Sequence, residues 1–241
     1  MSHFDGSAAA RSLLDYGAFL FDLDGVLTPT SLLHRRAWKE AINAHLGREF
    51  TQVAPFVDAD YYRSVDGRPR SEGIESFLAS RGLTISNAEV QAIGDAKNQL
   101  FVDVLARDGI APFEGSLALL DAIAATDIKL AVVSSSKNAE PVLAAAGIAD
   151  RFGCVVDGLV AAEHGLPGKP APDTFWYAAT QLGVPYADCV VVEDAVAGVQ
   201  AGAAGDFGLV IGVDRGTGAE PLIEAGADLV VEDLGALVVH R

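Results

Sequence analysis

From residue 110 onward the sequence alternates between amphipathic helical segments and short runs of continuously apolar residues. Such runs are typical of strands in a parallel sheet, because helices cover both faces of that sheet. A similar run lies near the N-terminus and requires the same sheet. The pattern therefore predicts an α/β fold with a doubly wound parallel sheet. The predicted strands are 18–22, 128–133, 153–156, 189–192, 207–211 and 229–231, with helices at 115–126, 138–146, 172–182 and 195–204.

The segment between the first strand and residue 109 has helical spacing throughout. Thr30 or Ser31 is a candidate N-cap for its first helix, and Gly47 a candidate C-terminal stop. We therefore predict two units, a catalytic core of residues 1–30 and 109–241 and an all-helical insert of residues 31–108. Ligands bind at the carboxyl ends of strands in such sheets, so the insert would act as a lid. Its predicted helices are 31–46, 71–80 and 87–106, separated by a solvated loop at 51–66 that is rich in acids and aromatics.

Composition narrows the possible partners and the compartment. The formal net charge of the 241 residues is −16, which argues against nucleic acid or an anionic membrane as the main partner. No apolar run approaches the roughly 18 residues that span a bilayer. The first 16 residues read as a short extension without the basic region of a signal peptide, so we expect a cytoplasmic protein. Cys154 and Cys189 lie in apolar segments and are predicted to be reduced core thiols.

Two aspartates close the first predicted strand, and they are the strongest functional signal in the chain. Asp22 and Asp24 are two positions apart, so their side chains leave the strand on the same side, and Gly25 allows a sharp turn after them. Two carboxylates this close repel each other unless a cation neutralises them. A hard divalent cation is a suitable partner, and phosphates are the substrates that commonly bring one. The motif predicts a phosphate-handling site.

Three further polar segments follow predicted strands or turns at the same edge. The second predicted strand ends in Ser134-Ser-Ser-Lys-Asn138, which could bind an anion at a helix N-terminus or simply provide a helix cap. Lys169 is followed by Pro170 and Pro172, which rigidify the loop ahead of the next helix, although a loop lysine taken alone is more often solvated. Glu193 and Asp194 end another strand and repeat the acidic pattern, although Asp194 alone could be a helix cap.

These four segments, in this order, resemble the motifs of the haloacid dehalogenase-like (HAD) phosphotransferase superfamily over residues of about 17–233. The resemblance implies a Rossmann-like core with a helical C1 cap after the first strand. It implies that Asp22 is the nucleophile that forms an aspartyl phosphate and that Asp24 is the general acid and base. Ser134 and Lys169 would hold the transferring phosphoryl group. The implied Mg²⁺ ligands are Asp22, the Asp24 carbonyl, Asp194 and Glu193, the last directly or through water.

Within that superfamily the chain is most similar to β-phosphoglucomutases. The similarity lies in His34 and Trp38 four residues apart, in Arg70 of Gly67-Arg-Pro-Arg70, in Lys97-Asn98 and in the segment 134–138. The chain departs from the pattern at Pro29 and Asp66, where those enzymes often carry aspartate and lysine; these positions bear on cap opening and on sugar recognition. The substrate-binding residues implied are His34, Trp38, Arg70, Lys97, Ser136, Lys137 and Asn138.

Several of these side chains have a structural alternative. His34 could pack against Trp38 on the helix surface. Trp38 itself is better explained by packing than by substrate contact. Lys97 could lie in the site or on the surface.

The expected function is that of a Mg²⁺-dependent phosphosugar mutase converting β-glucose 1-phosphate to glucose 6-phosphate. The alternative is a phosphatase of the same fold, and a non-catalytic phosphate-binding protein is a third reading. A mutase must hold a bisphosphate and therefore needs two phosphate pockets and a lid that excludes water. Arg70 with residues 136–138 would be the second pocket, which a phosphatase does not need. We expect a small phosphorylated sugar as partner and a monomeric protein.

Overall fold

The computed structural model describes residues 12–66, 68, 70–216 and 218–238. Within them, six parallel strands form one sheet in the order β3-β2-β1-β4-β5-β6, which confirms the predicted doubly wound fold. The strands are β1 (Ala18–Phe21), β2 (Lys129–Val133), β3 (Cys154–Val156), β4 (Cys189–Glu193), β5 (Leu209–Val213) and β6 (Leu229–Val231). The helices are α1 (Thr30–Glu49), α2 (Asp58–Ser64), α3 (Arg70–Ser80), α4 (Asn87–Asp108), α5 (Glu114–Ile123), α6 (Ala139–Ala145), α7 (Gly158–Glu163), α8 (Asp173–Leu182), α9 (Val196–Ala204) and α10 (Ala219–Glu224).

The central strand β1 shows why its sequence is apolar at every position. All four of its residues are fully buried. Phe19 and Phe21 pack into the cluster on one face of the sheet, whereas Ala18 and Leu20 pack into the cluster on the other. Each strand in the middle of the sheet therefore needs apolar side chains on both sides.

The strand register brings the predicted site residues to one edge. Phe21 pairs with Val132 of β2 on one side and with Val192 of β4 on the other. The Asp22 amide continues the ladder by donating to the Val192 carbonyl at 2.9 Å. Asp22 therefore leaves β1 beside Glu193, the last residue of β4.

Helices α1 to α4 enclose an apolar cluster of their own, between β1 and α5 in the chain. Phe56 and Phe77 lie at its centre with ring centroids 4.9 Å apart, and Ile42 and Ile74 are buried beside them. Ala37 of α1 and Phe101 of α4 instead join the cluster on one face of the sheet. The four helices are thus packed on each other, and α1 and α4 also join the cluster on the sheet.

The predicted solvated loop at 51–66 is wrong in its second half, which forms α2. Asp60 is only 2% exposed and accepts a 3.0 Å hydrogen bond from the Val57 amide at the start of that helix. Arg81 reaches the same carboxylate oxygen at 2.8 Å. The burial of Asp60 was not predictable from the local sequence, because its partner Arg81 lies 21 residues away.

Other differences concern helix ends and short helices. Thr30 does not cap α1, since Pro29 is the N-cap residue and no side chain closes that end. The helix continues through Gly47 to Glu49. The short helices α7 and α10 were not predicted.

Three remaining expectations concern the termini, the thiols and the membrane. Of the N-terminal extension, residues 1–11 lie outside the described residues, and Leu13–Asp15 form a 3-10 turn. Both cysteines are free; Cys189 is buried, but Cys154 is only half-buried. No helix in the part of the chain that the structure describes is long and apolar enough to cross a membrane.

Candidate active site

Lys169 joins the ends of two neighbouring strands at the carboxyl edge of the sheet. Its Nζ lies 2.6 Å from Asp22 Oδ1 and 2.5 Å from Glu193 Oε1, and it donates to the Val133 carbonyl at 2.9 Å. All three charged side chains are almost completely buried. The lysine predicted as either a site residue or a solvated one is therefore in the site.

Charge and burial oppose each other in this group. Burial alone would lower the pKa of Lys169, but Asp22 and Glu193 raise it above its usual range, so the ammonium form is retained. Burial raises the pKa of Asp22, with Glu193 and Asp24 adding to the rise and Lys169 opposing it. One lysine therefore only partly neutralises the acids around it.

The acidic residues at these strand ends are suited to a divalent cation. Asp22, Glu193 and Asp194 each offer a carboxylate oxygen, and these oxygens lie within 4.8 Å of one another. Burial, followed by the charges of Asp22 and Glu193, raises the pKa of Asp194. A hard cation such as Mg²⁺ prefers oxygen ligands and would relieve this repulsion. The donor set therefore fits Mg²⁺.

Glu193 has a more structural environment than its two neighbours. Its Oε2 accepts hydrogen bonds from the Asp194 and Ala195 amides at 3.0 and 3.1 Å, while Oε1 faces Lys169. A Cβ at Gly198 would lie 1.8 Å from Oε1, so α9 can approach this carboxylate only with glycine at that position. These contacts favour Glu193 as a ligand through water.

Asp24 leaves the strand with different partners from those of Asp22. Its Oδ1 accepts a short hydrogen bond from Thr30 Oγ1 and lies 3.3 Å from His34 Nε2, and its Oδ2 accepts from Ser134 Oγ at 3.4 Å. Burial alone would raise the pKa of Asp24, but His34, Thr30 and Lys97 together lower it to about 2. The carboxylate form is therefore stable at neutral pH. Sequence reasoning missed Thr30, since a threonine at the start of a helix resembles an ordinary cap.

His34 and Lys97 come from different helices and meet beside Asp24. Lys97 Nζ lies 2.6 Å from His34 Nδ1, and the imidazole stacks on Phe101 with ring centroids 4.2 Å apart. Donation from Lys97 to Nδ1 leaves the ring proton on Nε2, the nitrogen that faces Asp24. Burial, with Arg70 adding to it, lowers the pKa of Lys97 to about 7. Trp38 is buried in the apolar cluster with its ring 5.2 Å from Lys97 Nζ, as the packing alternative predicts.

A second polar group lies where the helical unit meets the core. Asn98 Oδ1 accepts hydrogen bonds from Arg70 Nη2 at 2.9 Å and from Asn138 Nδ2 at 2.8 Å. Ser136 Oγ accepts a hydrogen bond from the Asn138 backbone N–H at 3.2 Å. The Ser136 backbone N–H donates to Ser134 Oγ at 3.0 Å. These bonds connect the second polar group to the residues around Asp24.

The remaining predicted positions are more peripheral. Lys137 is exposed on the same turn. Gly67 and Pro69 of the Arg70 segment lie outside the described residues. Asp66 hydrogen-bonds Tyr61, whose pKa is raised by burial first and then by this carboxylate.

Comparison with known proteins identifies the family. The model of the haloacid dehalogenase-like hydrolases matches residues 16–206. The chain belongs to this family. It is 43% identical over 240 residues to a β-phosphoglucomutase of Mycobacterium tuberculosis, covering 92% of this chain and 91% of the relative. It is 37% identical over 229 residues to a β-phosphoglucomutase of Bacillus subtilis, covering 92% of each.

A solved structure agrees with these relatives. The crystal structure of a β-phosphoglucomutase from Clostridium difficile superposes with a TM-score of 0.77 at 29% identity, covering 92% of this chain and 93% of that one. The family resemblance drawn from the four motifs is confirmed, and the chain is identified as an enzyme.

The His34–Lys97 contact leads to a prediction about pKa. Burial lowers the pKa of His34, and the positive charge of Lys97 lowers it further against the pull of Asp24. In Lys97→Met this charge is lost while the site stays apolar, so the pKa of His34 should rise. NMR titration of the histidine Cε1 protons measures it, with the His34 signal assigned by its loss in His34→Asn.

The matched control is Lys39→Met, which removes an exposed lysine from the same helix as His34. That change should leave the pKa of His34 where it is in the unmodified protein. An unchanged His34 pKa in Lys97→Met would show that the two side chains do not interact in solution.

Proposed function

We propose that this enzyme is a Mg²⁺-dependent phosphosugar mutase that converts β-glucose 1-phosphate to glucose 6-phosphate through an aspartyl phosphate on Asp22. The observation that carries the proposal is the presence of two polar groups about one site. One surrounds Asp22 and Lys169, and the other joins Arg70 to Asn138 through Asn98. The similarity to proteins named β-phosphoglucomutase supports the same activity.

Asp22 is the proposed nucleophile. A carboxylate attacks phosphorus efficiently only when it is aimed and when the phosphoryl charge is compensated. Lys169 is held against Asp22 by hydrogen bonding and by Glu193, and Ser134 lies on the opposite side near Asp24. We propose that Lys169 and Ser134 bind the oxygens of the transferring phosphoryl group.

Asp24 is the proposed general acid and base. With a pKa of about 2 it is a carboxylate at rest, and it can accept the proton of the sugar hydroxyl that attacks the aspartyl phosphate. In the opposite half-reaction it returns this proton to the sugar oxygen as the phosphoryl group moves to Asp22. Thr30 and His34 orient the carboxylate by contacting Oδ1.

The proposed Mg²⁺ ligands are Asp22, Asp194 and the Asp24 carbonyl, with Glu193 acting through water. When bound, the ion would supply positive charge to the phosphoryl oxygens and offset the repulsion between them and the carboxylates. Asp24 contributes its side chain to proton transfer and only its backbone to the metal.

The second group would hold the distal phosphate of the bisphosphate. Arg70 offers a planar set of N–H donors suited to phosphate, and Ser136, Lys137 and Asn138 lie on the facing turn. A phosphate there can replace Asn98 as the shared partner of Arg70 and Asn138. The proposed cap of residues 31–108 would thereby close over the substrate and exclude water from the core of residues 1–30 and 109–241.

A phosphatase remains the second candidate, and one relative favours it. The chain is 30% identical over 190 residues to the fructose-1-phosphate phosphatase YqaB of Escherichia coli, covering 77% of this chain and 90% of the relative. Asp66, in place of the lysine common in the mutases, also favours altered sugar recognition. In either case we propose a small phosphorylated sugar as substrate and a monomeric, cytoplasmic enzyme.

The nucleophile is tested by Asp22→Asn. Loss of the attacking carboxylate should abolish phosphoenzyme formation, while the isosteric amide preserves the shape of the site. The protein is mixed with Mg²⁺ and glucose 1,6-bisphosphate, quenched with acid and analysed by intact-mass spectrometry. Exposed Asp150→Asn is the control and should form the phosphoenzyme as the unmodified protein does. A phosphoenzyme on Asp22→Asn would mean that another residue is the nucleophile.

The distal pocket is tested by Arg70→Ala. Loss of a charge-assisted hydrogen bond costs about 2 kcal/mol, so kcat/KM for isomerisation should fall roughly thirtyfold. More of the turnover should end in free phosphate, because the bisphosphate is held less firmly. Arg68→Ala removes an exposed arginine two residues away and should change neither quantity. Unaltered isomerisation by Arg70→Ala would contradict the two-pocket model.

A further inference from the structure

The turn after the two aspartates is tightly folded around Gly25. The Gly25 amide donates to the Thr28 carbonyl at 2.8 Å, and the Thr28 amide donates to the Leu23 carbonyl at 3.0 Å. Gly25 has φ of +93°, and a Cβ there would lie 1.9 Å from Asp194 Oδ2. The Asp194 carboxylate therefore packs directly against the Gly25 backbone.

Arg215 holds this glycine from outside the motif. It follows β5, and its Nε donates to the Gly25 carbonyl at 2.7 Å. Its Nη1 donates to the Glu232 carbonyl at 3.1 Å. The guanidinium carbon lies 3.8 Å from the centroid of the Phe113 ring. Two hydrogen bonds and one stacking contact thus fix the side chain, although it is far from Gly25 in sequence.

Phe113, which stacks on Arg215, and the nearby Ser116 hold the rest of the turn. The Phe113 amide donates to the Leu27 carbonyl at 2.9 Å, and Ser116 Oγ donates to the Val26 carbonyl at 2.6 Å. These bonds come from the segment that returns from the helical unit to the sheet. Arg215 is the member of this set that reaches Gly25 itself, next to Asp24.

Charge adds to the geometry. Lys169 contacts Asp22 and Glu193, on the strand side of the acidic group. Arg215 approaches the Gly25 peptide against which Asp194 packs. Burial lowers the pKa of Arg215, and the carboxylates of Asp233 and Asp194 oppose that fall. The acidic group therefore has two nearby cations. Lys169 contacts it directly, and Arg215 bonds the Gly25 backbone against which Asp194 packs.

We propose that Arg215 is a positioning residue of the phosphoryl-transfer site, which fixes the Gly25 peptide and thereby sets the positions of Asp24 and Asp194. The inference rests on the proposed function, in which Asp194 binds the metal and Asp24 transfers the proton. In the part of the chain that the structure describes, Arg215 bonds Gly25 and Glu232, whereas Arg70 and Asn138 are joined through Asn98. Loss of Arg215 should therefore affect the metal and the chemical step more than sugar-phosphate binding.

The test compares Arg215→Met, Arg215→Lys and the unmodified enzyme. Methionine keeps an apolar stem over Phe113 but removes the charge and the donors, whereas lysine keeps the charge. Mg²⁺ binding to the substrate-free protein is measured by calorimetry, and kcat and KM for the phosphosugar are measured on the same preparations. Arg151→Met, which breaks a surface ion pair with Asp121, is the matched control.

We expect Arg215→Met to weaken Mg²⁺ binding about tenfold or more, as is typical when a residue that orients metal ligands is lost. Its kcat should fall while KM for the phosphosugar stays within about twofold. Arg215→Lys should recover part of both losses, and Arg151→Met should match the unmodified enzyme. A general loss of structure would not produce this separation between metal affinity and KM.

If Arg215→Met has the same Mg²⁺ affinity and kcat as the unmodified enzyme, the proposal is overturned. Should that variant fail to fold, Arg215→Lys decides, since lysine replaces the two donor nitrogens that reach the Gly25 and Glu232 carbonyls with a single one. Values equal to those of the unmodified enzyme in Arg215→Lys would then overturn the proposal. This outcome is distinguishable from failure of the proposed function. A phosphoenzyme on Asp22→Asn would refute the function whatever Arg215 does.

Discussion

The ion pairs of Lys169 with Asp22 and Glu193 are the interaction on which the site depends. Parallel pairing brings β1 and β4 together, so the acids at their ends must lie side by side. Without a cation these buried carboxylates would repel each other and destabilise the edge of the sheet. Lys169 compensates part of this charge, and the remaining negative charge suits the group to a divalent cation. The negative charge that remains destabilises the buried carboxylates. It also suits the site to a metal ion that accompanies an anionic substrate.

The helical unit places basic side chains near the acids of the sheet edge. It brings Arg70, Lys97 and His34 toward the acids at the sheet edge. Because Lys97 is buried and Arg70 is nearby, the pKa of Lys97 falls to about 7. Lys97 contacts His34, and His34 in turn contacts Asp24. The surroundings of Asp24 and the Arg70–Asn98–Asn138 group therefore both depend on contacts between the helical unit and the rest of the fold.

The sheet and its acidic edge were predictable because local signals determine them. Continuous apolar runs identified the strands to within about two residues, and the acids at strand ends marked Asp22 and Glu193. Lys169 lies in a loop and was indicated only by the order of the family motifs. Side chains whose partners are distant in sequence were not predictable. Asp60 is buried because Arg81 meets it, and Arg215 reaches Gly25 across the fold. Thr30 is near Asp24 in sequence, but a threonine at the start of a helix resembles a cap rather than a partner of a carboxylate. Nothing in the local sequence marks these three contacts.

The proposed mutase moves phosphate between positions of a bound sugar rather than to water. Phosphorus NMR tests this directly, on the enzyme with Mg²⁺, β-glucose 1-phosphate and a trace of glucose 1,6-bisphosphate. We expect the glucose 6-phosphate signal to grow as the substrate signal decays, with no matching growth of inorganic phosphate. Inorganic phosphate as the accumulating product would contradict the mutase and identify a phosphatase built on the same site.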